Sequence, residues 1–289
     1  NVRPTKEIMQ LKLYSVNVAG EVSRASLICN MVKNASNTVG LIYDFEKMDV
    51  AKYLKDCDAE GVKADWDGKT ILLTKNDGFI NVTKEKLGVQ NNDSERASIF
   101  NITTQTNFKL KVIGIHGLDV LSRPIDSISR NAHDYILFRR LRNQLTSCRH
   151  GALIVGDFNC PIHYQLLIDK DSMNASIDME MPKTYSVYNM SSYMLSKLNN
   201  KLETDVFNSI NGTYKFSPNS RGSRRISIGI WNIYDQVIMN KPLANQVLSQ
   251  NVEAKYLISL DSQDIIKELF GTYYFVNGWD HLAMEVIFK

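Results

Sequence analysis

The segment with the clearest chemical content is an apolar run that ends in a carboxylate and a carboxamide. Residues 153–155 are apolar, Gly156 follows them, and Asp157 and Asn159 stand two residues apart. In an extended chain alternate side chains share a face, so both would point off the end of one strand. A carboxylate can take a proton from water, and an amide can donate a hydrogen bond to a phosphoryl oxygen. A hydrolytic site is one interpretation; a purely structural Asx turn is the other.

Two further segments place acidic or imidazole groups beside predicted strands. Asp280 and His281 directly precede an alternating apolar run, so that at a strand mouth one can bind a metal while the other reaches a substrate. Asp235 stands inside an otherwise apolar run, where a buried carboxylate is costly without a partner. A histidine is the natural partner, because the pairing fixes the tautomer and favours the imidazolium. An exposed edge position for Asp235 is the alternative.

The densest basic cluster lies in residues 217–229, a stretch rich in Ser, Gly, Pro and Arg that predicts an exposed loop. Guanidinium groups have the geometry for phosphate contact, and a solvated loop without a ligand is the alternative. The three arginines are Arg221, Arg224 and Arg225.

Composition bounds the class of protein. The chain has 289 residues, 44% hydrophobic and 22% charged, which is ordinary for a globular protein and argues against extensive disorder. No apolar run approaches the ~20 residues of a membrane span. The net charge of +3 is compatible with an anionic substrate. The four cysteines have no zinc-type spacing, which predicts lone buried thiols and a reducing, cytoplasmic compartment.

Strand patterns recur along the whole chain, with helical patterns between some of them. Pro and Gly show no linker-like cluster, which favours one domain over residues 1–289. The mixture predicts α/β layers, with sheet packed on sheet or helix on sheet. The clearest predicted helix covers 126–147, and weaker helical patterns cover 21–32 and 49–54. The predicted strands are 11–16, 39–43, 70–73, 97–102, 108–115, 152–155, 234–239 and 282–288.

Taken in chain order, these segments resemble the motif series of the endonuclease/exonuclease/phosphatase superfamily, the deoxyribonuclease I-like proteins. The additional matches are Asn17 in LKLYSVNVAG, Glu46 in VGLIYDFEK and His116 in VIGIHGL. The resemblance spans residues 11–288. It implies a four-layer α/β sandwich, in which two mixed β-sheets pack face to face with helices outside and the site lies at one rim.

The resemblance also implies a role for each matching residue. Glu46 would be the main ligand of Mg²⁺ or Mn²⁺, assisted by Asp280 and Asn17. Such an oxygen-rich ligand set suits these ions better than Zn²⁺. Four further residues would act on the substrate or the water: Asp157 would orient or deprotonate the attacking water, Asn159 would donate to the phosphoryl group, His116 would bind phosphate, and His281, held by Asp235, would stabilise its charge.

Three positions depart from the family pattern. Ala19 stands where many nucleases carry an Asp, which leaves a second metal position without one of its usual ligands. The usual Gln-Glu pair reads Phe45-Glu46, and Asp44 lies two residues before Glu46. Trp279 replaces the small residue before the final Asp-His and would pack over the site or serve as a substrate platform.

Three functions are compatible with these residues. The leading interpretation is a metal-dependent phosphodiesterase that cleaves nucleic acid as an endonuclease, because basic residues in the 217–229 loop and in the long helix suit backbone phosphates. DNA is favoured over RNA as the partner. The first alternative is a phosphatase or phosphodiesterase of a small or lipid phosphate ester. The second is a non-catalytic binding module on the same fold. No oligomeric state is predicted.

Overall fold

In a computed structural model, the described part of the chain consists of the following ranges: 10–45, 47–67, 70–87, 96–117, 127–160, 162, 164–177, 185–201, 214–215, 231–232, 234–257, 267–269, 272–274 and 283–289.

A six-stranded mixed sheet forms the first layer of β-structure, in the order β14-β17-β1-β2-β4-β3. The central strand β1 pairs in parallel with β2 on one side and antiparallel with β17 on the other. The strands of this sheet are β1 (Leu11–Asn17), β2 (Thr38–Tyr43), β3 (Val62–Asp67), β4 (Thr70–Lys75), β14 (Val252–Leu257) and β17 (Ala283–Phe288).

A seven-stranded mixed sheet forms the second layer, in the order β5-β6-β7-β8-β13-β10-β9. Strand β8 pairs in parallel with β7 and antiparallel with β13. The strands of this sheet are β5 (Ile80–Glu85), β6 (Ala97–Thr104), β7 (Lys109–His116), β8 (Gly151–Asp157), β9 (Ala175–Ser176), β10 (Val187–Asn189) and β13 (Asp235–Asn240).

Helices and two short strand pairs complete the described elements. The pairs are β11 (Tyr214–Lys215) with β12 (Trp231–Asn232), and β15 (Lys267–Leu269) with β16 (Thr272–Tyr274). The helices are α1 (Val22–Asn34), α2 (Val50–Ala59), α3 (Ser127–Ser147), α4 (Gln165–Ile168), α5 (Ser191–Lys201) and α6 (Lys241–Leu248). No helix in the described ranges has the length and apolar character to cross a membrane.

Three hydrophobic clusters separate four layers. One cluster lies between the sheets and takes the inward residues of both, such as Leu13 and Leu41 from the first sheet and Val155 from the second. A second cluster packs the outer face of the first sheet against α1 and α2. A third packs the outer face of the second sheet against α3. This arrangement is the four-layer α/β sandwich that the sequence predicts.

The predicted elements are present, most of them with shifted ends. All eight predicted strands form, and the helical patterns at 21–32 and 49–54 become α1 and α2, with Asp49 accepting a hydrogen bond from the Lys52 amide as N-cap. The long helix is present as α3, while Asp126, its predicted N-cap, lies outside the described residues. The sequence analysis missed five strands of the two sheets, three helices and both short strand pairs. The missed strands of the sheets are β3, β5, β9, β10 and β14, and the missed helices are α4, α5 and α6.

Candidate functional site

Five polar residues converge at one rim of the sandwich because each continues the inward alternation of its strand. The other inward positions of each strand include apolar residues of the inter-sheet core, so the polar side chain falls on the same face. The polar residue lies at the C-terminal end of four of the strands and at the N-terminal end of β13. Four of the five are at most 3% exposed, and the fifth, His116, is half-buried. The five residues are Asn17 of β1, Tyr43 of β2, His116 of β7, Asp157 of β8 and Asp235 of β13.

Strand pairing fixes three of these residues side by side. In the second sheet, His116 is the register partner of Asp157 on one side, and Asp235 is its partner on the other. Adjacent strands lie about 4.8 Å apart. Two carboxylates and an imidazole therefore occupy one row across three strands, with the two carboxylates almost fully buried.

The side chain of Asp157 is held from both sides. Its Oδ1 accepts a hydrogen bond of 2.7 Å from the backbone amide of Asn159, and its Oδ2 lies 3.4 Å from Nδ2 of Asn17 on the other sheet. Asn159 has a positive φ of 50° and its Nδ2 donates to the carbonyl of Gly117 at 3.2 Å. The expectation of an extended chain through Asp157 and Asn159 is wrong, because β8 ends at Asp157 and an Asx turn begins there.

Glycine allows the close backbone approach behind this turn. Gly156 has a φ of 142°, and a Cβ at this position would lie 2.1 Å from the carbonyl oxygen of Ile115. A Cβ on Gly117 would lie 2.2 Å from the carbonyl oxygen of Phe158. The Gly117 amide also donates to the carbonyl of Asp157 at 2.6 Å, so the ends of β7 and β8 are tied together.

The carboxylate of Asp235 is bound by a buried tyrosine. The Tyr43 hydroxyl donates to Oδ1 of Asp235 over 2.8 Å, and both residues are fully buried. Burial, together with the negative charges of Asp235 and Asp157, raises the pKa of Tyr43 well above its usual value, so the phenol stays a neutral donor. The Tyr256 hydroxyl donates to the backbone carbonyl of Asp235 at 2.5 Å. The alternative of an exposed edge Asp235 is therefore wrong.

The residue after Asp235 anchors the turn that follows Asp157. Gln236 is fully buried, its Nε2 donates to the carbonyl of Cys160 at 2.6 Å, and its Oε1 accepts from Nδ2 of Asn189 at 2.7 Å. These bonds connect β13, β10 and the turn after β8. The turn is thus positioned by the second sheet itself.

Several predicted site residues lie outside the described part of the chain. They are Glu46, Asp280, His281, Arg221, Arg224 and Arg225. Within the described ranges, no group of three or more His, Cys, Asp or Glu side chains is arranged to hold a metal ion. The segment that leads to Glu46 does lie beside Asn17, since the Val18 amide donates to the Tyr43 carbonyl and the Gly20 amide to the Asp44 carbonyl.

The described rim residues contribute oxygen atoms of the kind that a hard cation prefers, but they do not form a ligand group by themselves. Asp157 and Asp235 concentrate two buried carboxylates on neighbouring strands, and Asn17 adds an amide oxygen that already accepts from the Ala19 backbone at 2.8 Å. Oxygen ligands with excess negative charge fit Mg²⁺ or Mn²⁺.

The architecture is that of the deoxyribonuclease I-like α/β sandwich, so the resemblance drawn from the sequence is confirmed at the level of the fold. The solved structures similar to this chain include a truncated TDP2 from Caenorhabditis elegans, at 14% identity and a TM-score of 0.58, covering 96% of this chain and 97% of that one. An AP endonuclease from Archaeoglobus fulgidus matches at 14% identity and a TM-score of 0.53, covering 96% and 99%. A mannosyl-6-phosphatase from Bacteroides thetaiotaomicron matches at 15% identity and a TM-score of 0.53, covering 96% and 98%. No protein-family model and no curated protein sequence matches the chain.

Sequence reasoning missed Tyr43 as a member of this rim. A tyrosine at the end of an apolar strand reads as a core residue, and only its position in the alternation of β2 after Val39 and Leu41 indicated that it faces the other sheet.

Proposed function

We propose that the chain is a divalent-metal-dependent phosphodiesterase that hydrolyses nucleic acid as an endonuclease. The observation that carries the proposal is the meeting of Asn17, His116, Asp157 and Asp235 from four different strands at one rim. All four match the motif order of the superfamily that the sequence resembles. The fold agrees with this proposal, and the solved structures that share it include an AP endonuclease and the endonuclease domain of TRAS1.

Asp157 is the group that orients or deprotonates the attacking water. Its Oδ1 accepts from the Asn159 amide and its Oδ2 faces Nδ2 of Asn17, so both oxygens of the carboxylate are oriented. The Asx turn holds the carboxylate in place ahead of substrate binding, which limits the reorganisation needed at the moment of reaction.

Asn159, His116 and His281 are the groups that contact the phosphoryl oxygens in this proposal. One amide hydrogen of Asn159 is used by the Gly117 carbonyl, which sets the plane of the carboxamide. Asp235 acts through its neighbours: its carboxylate, fixed by the Tyr43 hydroxyl, is the acceptor that would hold the imidazole of His281.

Glu46 would hold the divalent cation, with Asp280 and Asn17 as assisting oxygen ligands. When bound, such a cation neutralises charge on the phosphate and favours ionisation of a nearby water. Nucleic acid is the proposed partner, with DNA favoured over RNA. The arginines at 221, 224 and 225 are the proposed contacts to backbone phosphates.

The test is cleavage of supercoiled plasmid by the purified chain with Mg²⁺, with Mn²⁺ and with EDTA. We expect nicking that requires the metal and is lost in Asp157→Asn. The matched control is Asp171→Asn, which alters an exposed aspartate and leaves nicking intact. Nicking that persists in Asp157→Asn would contradict the proposal.

A phosphatase of small phosphate esters is the second candidate, favoured by the similarity to a mannosyl-6-phosphatase. Release of inorganic phosphate from a sugar phosphate, measured under the same metal conditions, separates the two candidates. Phosphate release that is lost in Asp157→Asn, without any plasmid nicking, would favour the second. Neither activity under any metal condition would favour the binding module.

A further inference from the structure

A chain of hydrogen bonds through two buried amide side chains connects the start of α5 to the turn that carries Asn159. The Ser191 backbone amide donates to Oδ1 of Asn189 at 3.1 Å, and Nδ2 of Asn189 donates to Oε1 of Gln236 at 2.7 Å. Nε2 of Gln236 then donates to the Cys160 carbonyl at 2.6 Å. Asn189 and Gln236 are at most 1% exposed, so water does not compete for these three bonds, which we call the amide relay.

The direction of the amide relay is fixed at both of its ends. A backbone N–H can only donate, and a carbonyl oxygen can only accept. Since the Ser191 amide takes the oxygen of Asn189, the nitrogen of Asn189 faces Gln236. The nitrogen of Gln236 in turn faces the Cys160 carbonyl. Each side chain therefore accepts on the side of α5 and donates on the side of the turn, a combination that a carboxylate cannot provide.

The second sheet brings the members of the amide relay within reach of each other. Gln236 follows Asp235 on β13, so it lies on the opposite face of the strand, where Cys160 packs in the cluster under α3. The register partner of Gln236 on β8 is Gly156, which has no side chain. Asn189 lies on β10, which pairs with β13 on its other side. The relay thus runs from β10 across β13 to the end of β8.

The turn that the amide relay holds is the turn that presents two proposed reactive groups. Cys160 directly follows Asn159, whose backbone amide donates to Oδ1 of Asp157 at 2.7 Å. On the other side of Asn159, the Phe158 amide donates to the Tyr234 carbonyl at 2.8 Å. The relay bond at Cys160 and the bond at Phe158 therefore fasten the turn to the β13 segment before and after Asn159.

We propose that Gln236 and Asn189 are positioning residues for the proposed hydrolysis, which act through the turn without touching the substrate. This role rests on the proposed function, because it requires Asn159 to contact the phosphoryl group. Donors that stabilise a transition state are effective when they are held in place before the reaction, so a small displacement of the turn is costly. The amide relay supplies that restraint from the buried face of the second sheet.

The start of α5 belongs to the same unit. The Val237 amide donates to Oγ of Ser191 at 3.2 Å, and the Met190 amide donates to the Val237 carbonyl at 2.8 Å. Residues 189–191 are thereby fixed on β13 at the point where the amide relay begins. A change at Asn189 should therefore reach the turn through Gln236, although Asn189 itself makes no bond to the turn in the relay.

The first experiment replaces Gln236 by methionine, which is also unbranched and donates no hydrogen bond. Cleavage of a fluorescent duplex oligonucleotide with Mg²⁺ is measured at a temperature where every variant is fully folded. We expect Gln236→Met to lower kcat by about 10- to 100-fold with KM nearly unchanged, the loss that follows removal of an outer hydrogen-bond partner. Gln144→Met is the matched control, since Gln144 on α3 accepts from Nζ of Lys111 at 2.8 Å outside the relay, and it should leave kcat unchanged.

A double variant tests whether the two amides act as one unit. Asn189→Asp keeps the acceptor for the Ser191 amide and removes the donor to Gln236. We expect it to lower kcat as well, and we expect Asn189→Asp combined with Gln236→Met to be no slower than Gln236→Met alone, because members of one network are not additive. Losses in kcat that multiply would overturn the relay as a single unit.

Hydrogen exchange followed by NMR tests the amide relay apart from hydrolysis. We expect the Asn159 amide to exchange about tenfold faster in Gln236→Met, as a buried hydrogen bond is lost, and at the wild-type rate in Gln144→Met. Unchanged exchange in Gln236→Met would overturn the proposal. A wild-type protein without any metal-dependent cleavage would refute the proposed function together with this role. An active wild-type protein whose kcat is insensitive to Gln236→Met would refute the positioning role alone.

Discussion

Replacing Tyr43 by Phe removes one hydroxyl from the buried rim and nothing else. The lost hydrogen bond is 2.8 Å long and its acceptor is the carboxylate of Asp235, with both partners fully buried. Hydrogen bonds to charged groups contribute about 1.5–3 kcal/mol to stability, and the loss is greatest when the remaining partner has no access to water. We expect Tyr43→Phe to lower the free energy of unfolding by this amount, about 10- to 140-fold in the unfolding equilibrium constant.

Urea unfolding followed by circular dichroism measures this loss. With an m-value of about 3 kcal/mol/M, the transition midpoint should fall by about 0.5–1 M. Tyr188→Phe is the matched control: Tyr188 is also buried, and its hydroxyl donates to the neutral carbonyl of Tyr185 at 3.0 Å. Its loss should be about 0.5–1.5 kcal/mol.

The same pair of variants separates positioning from stability. If Tyr43 fixes the carboxylate of Asp235 for the proposed reaction, Tyr43→Phe should lower kcat by about tenfold or more. This is the order of loss seen when a hydrogen-bond partner of an active-site group is removed. The rates are compared at temperatures where both proteins are fully folded. Tyr188→Phe should leave kcat unchanged. The reasoning is refuted if Tyr43→Phe shifts the urea midpoint no more than Tyr188→Phe does.

Three further perturbations test other parts of the structure. Asp157→Asn should lower the proposed hydrolytic rate by about 10²–10⁴-fold at fixed metal concentration, as expected for loss of a general base, and kinetics at saturating substrate measure this. Gly156→Ala should destabilise the protein more than Gly78→Ala, although both glycines have a positive φ. A Cβ at position 156 would lie 2.1 Å from a carbonyl oxygen, whereas a Cβ at position 78 would have open space around it. Thermal unfolding of the two variants in parallel provides the comparison. Asn240→Ala should lower the free energy of unfolding by about 3 kcal/mol or more. The buried side chain of Asn240 is hydrogen-bonded to three carbonyls and two amides, and these bonds join α3, β8 and α6. Equal urea midpoints for the variant and the wild type would show that these bonds are dispensable.

Local patterns in the sequence were sufficient to predict the strands that carry the site, whereas the four-layer arrangement was predicted from the resemblance to the superfamily. The apolar runs of β8 and β13 predict the two strands, but both strands are buried throughout, so the runs do not by themselves indicate which faces Asp157 and Asp235 occupy. Strand β14 also carries a strand pattern, because Val252, Ala254 and Tyr256 alternate with solvated residues. The sequence analysis missed this strand because charged residues occupy the positions between them. Helix α6 carried a signal as well, an Asn240 N-cap followed by a proline in the first turn.

Contacts between segments that are distant in the sequence could not be predicted from local patterns. The turn after Asp157 depends on a hydrogen bond from the Asn159 amide to the Asp157 side chain. The sequence is equally compatible with this turn and with a strand that continues past Asp157. The bond from Tyr43 to Asp235 arises only when the two sheets pack against each other.

The row of His116, Asp157 and Asp235 has a consequence for how the chain acquires its site. The three residues are register partners on β7, β8 and β13, and Asn17 and Tyr43 reach them from the opposite sheet. A slip of one residue in the pairing of β13 would turn its carboxylate to the outer face, together with every core residue of that strand. No partly folded intermediate that lacks either sheet can therefore assemble this rim. Recovery of activity during refolding should coincide with the last docking step, after secondary structure has already returned.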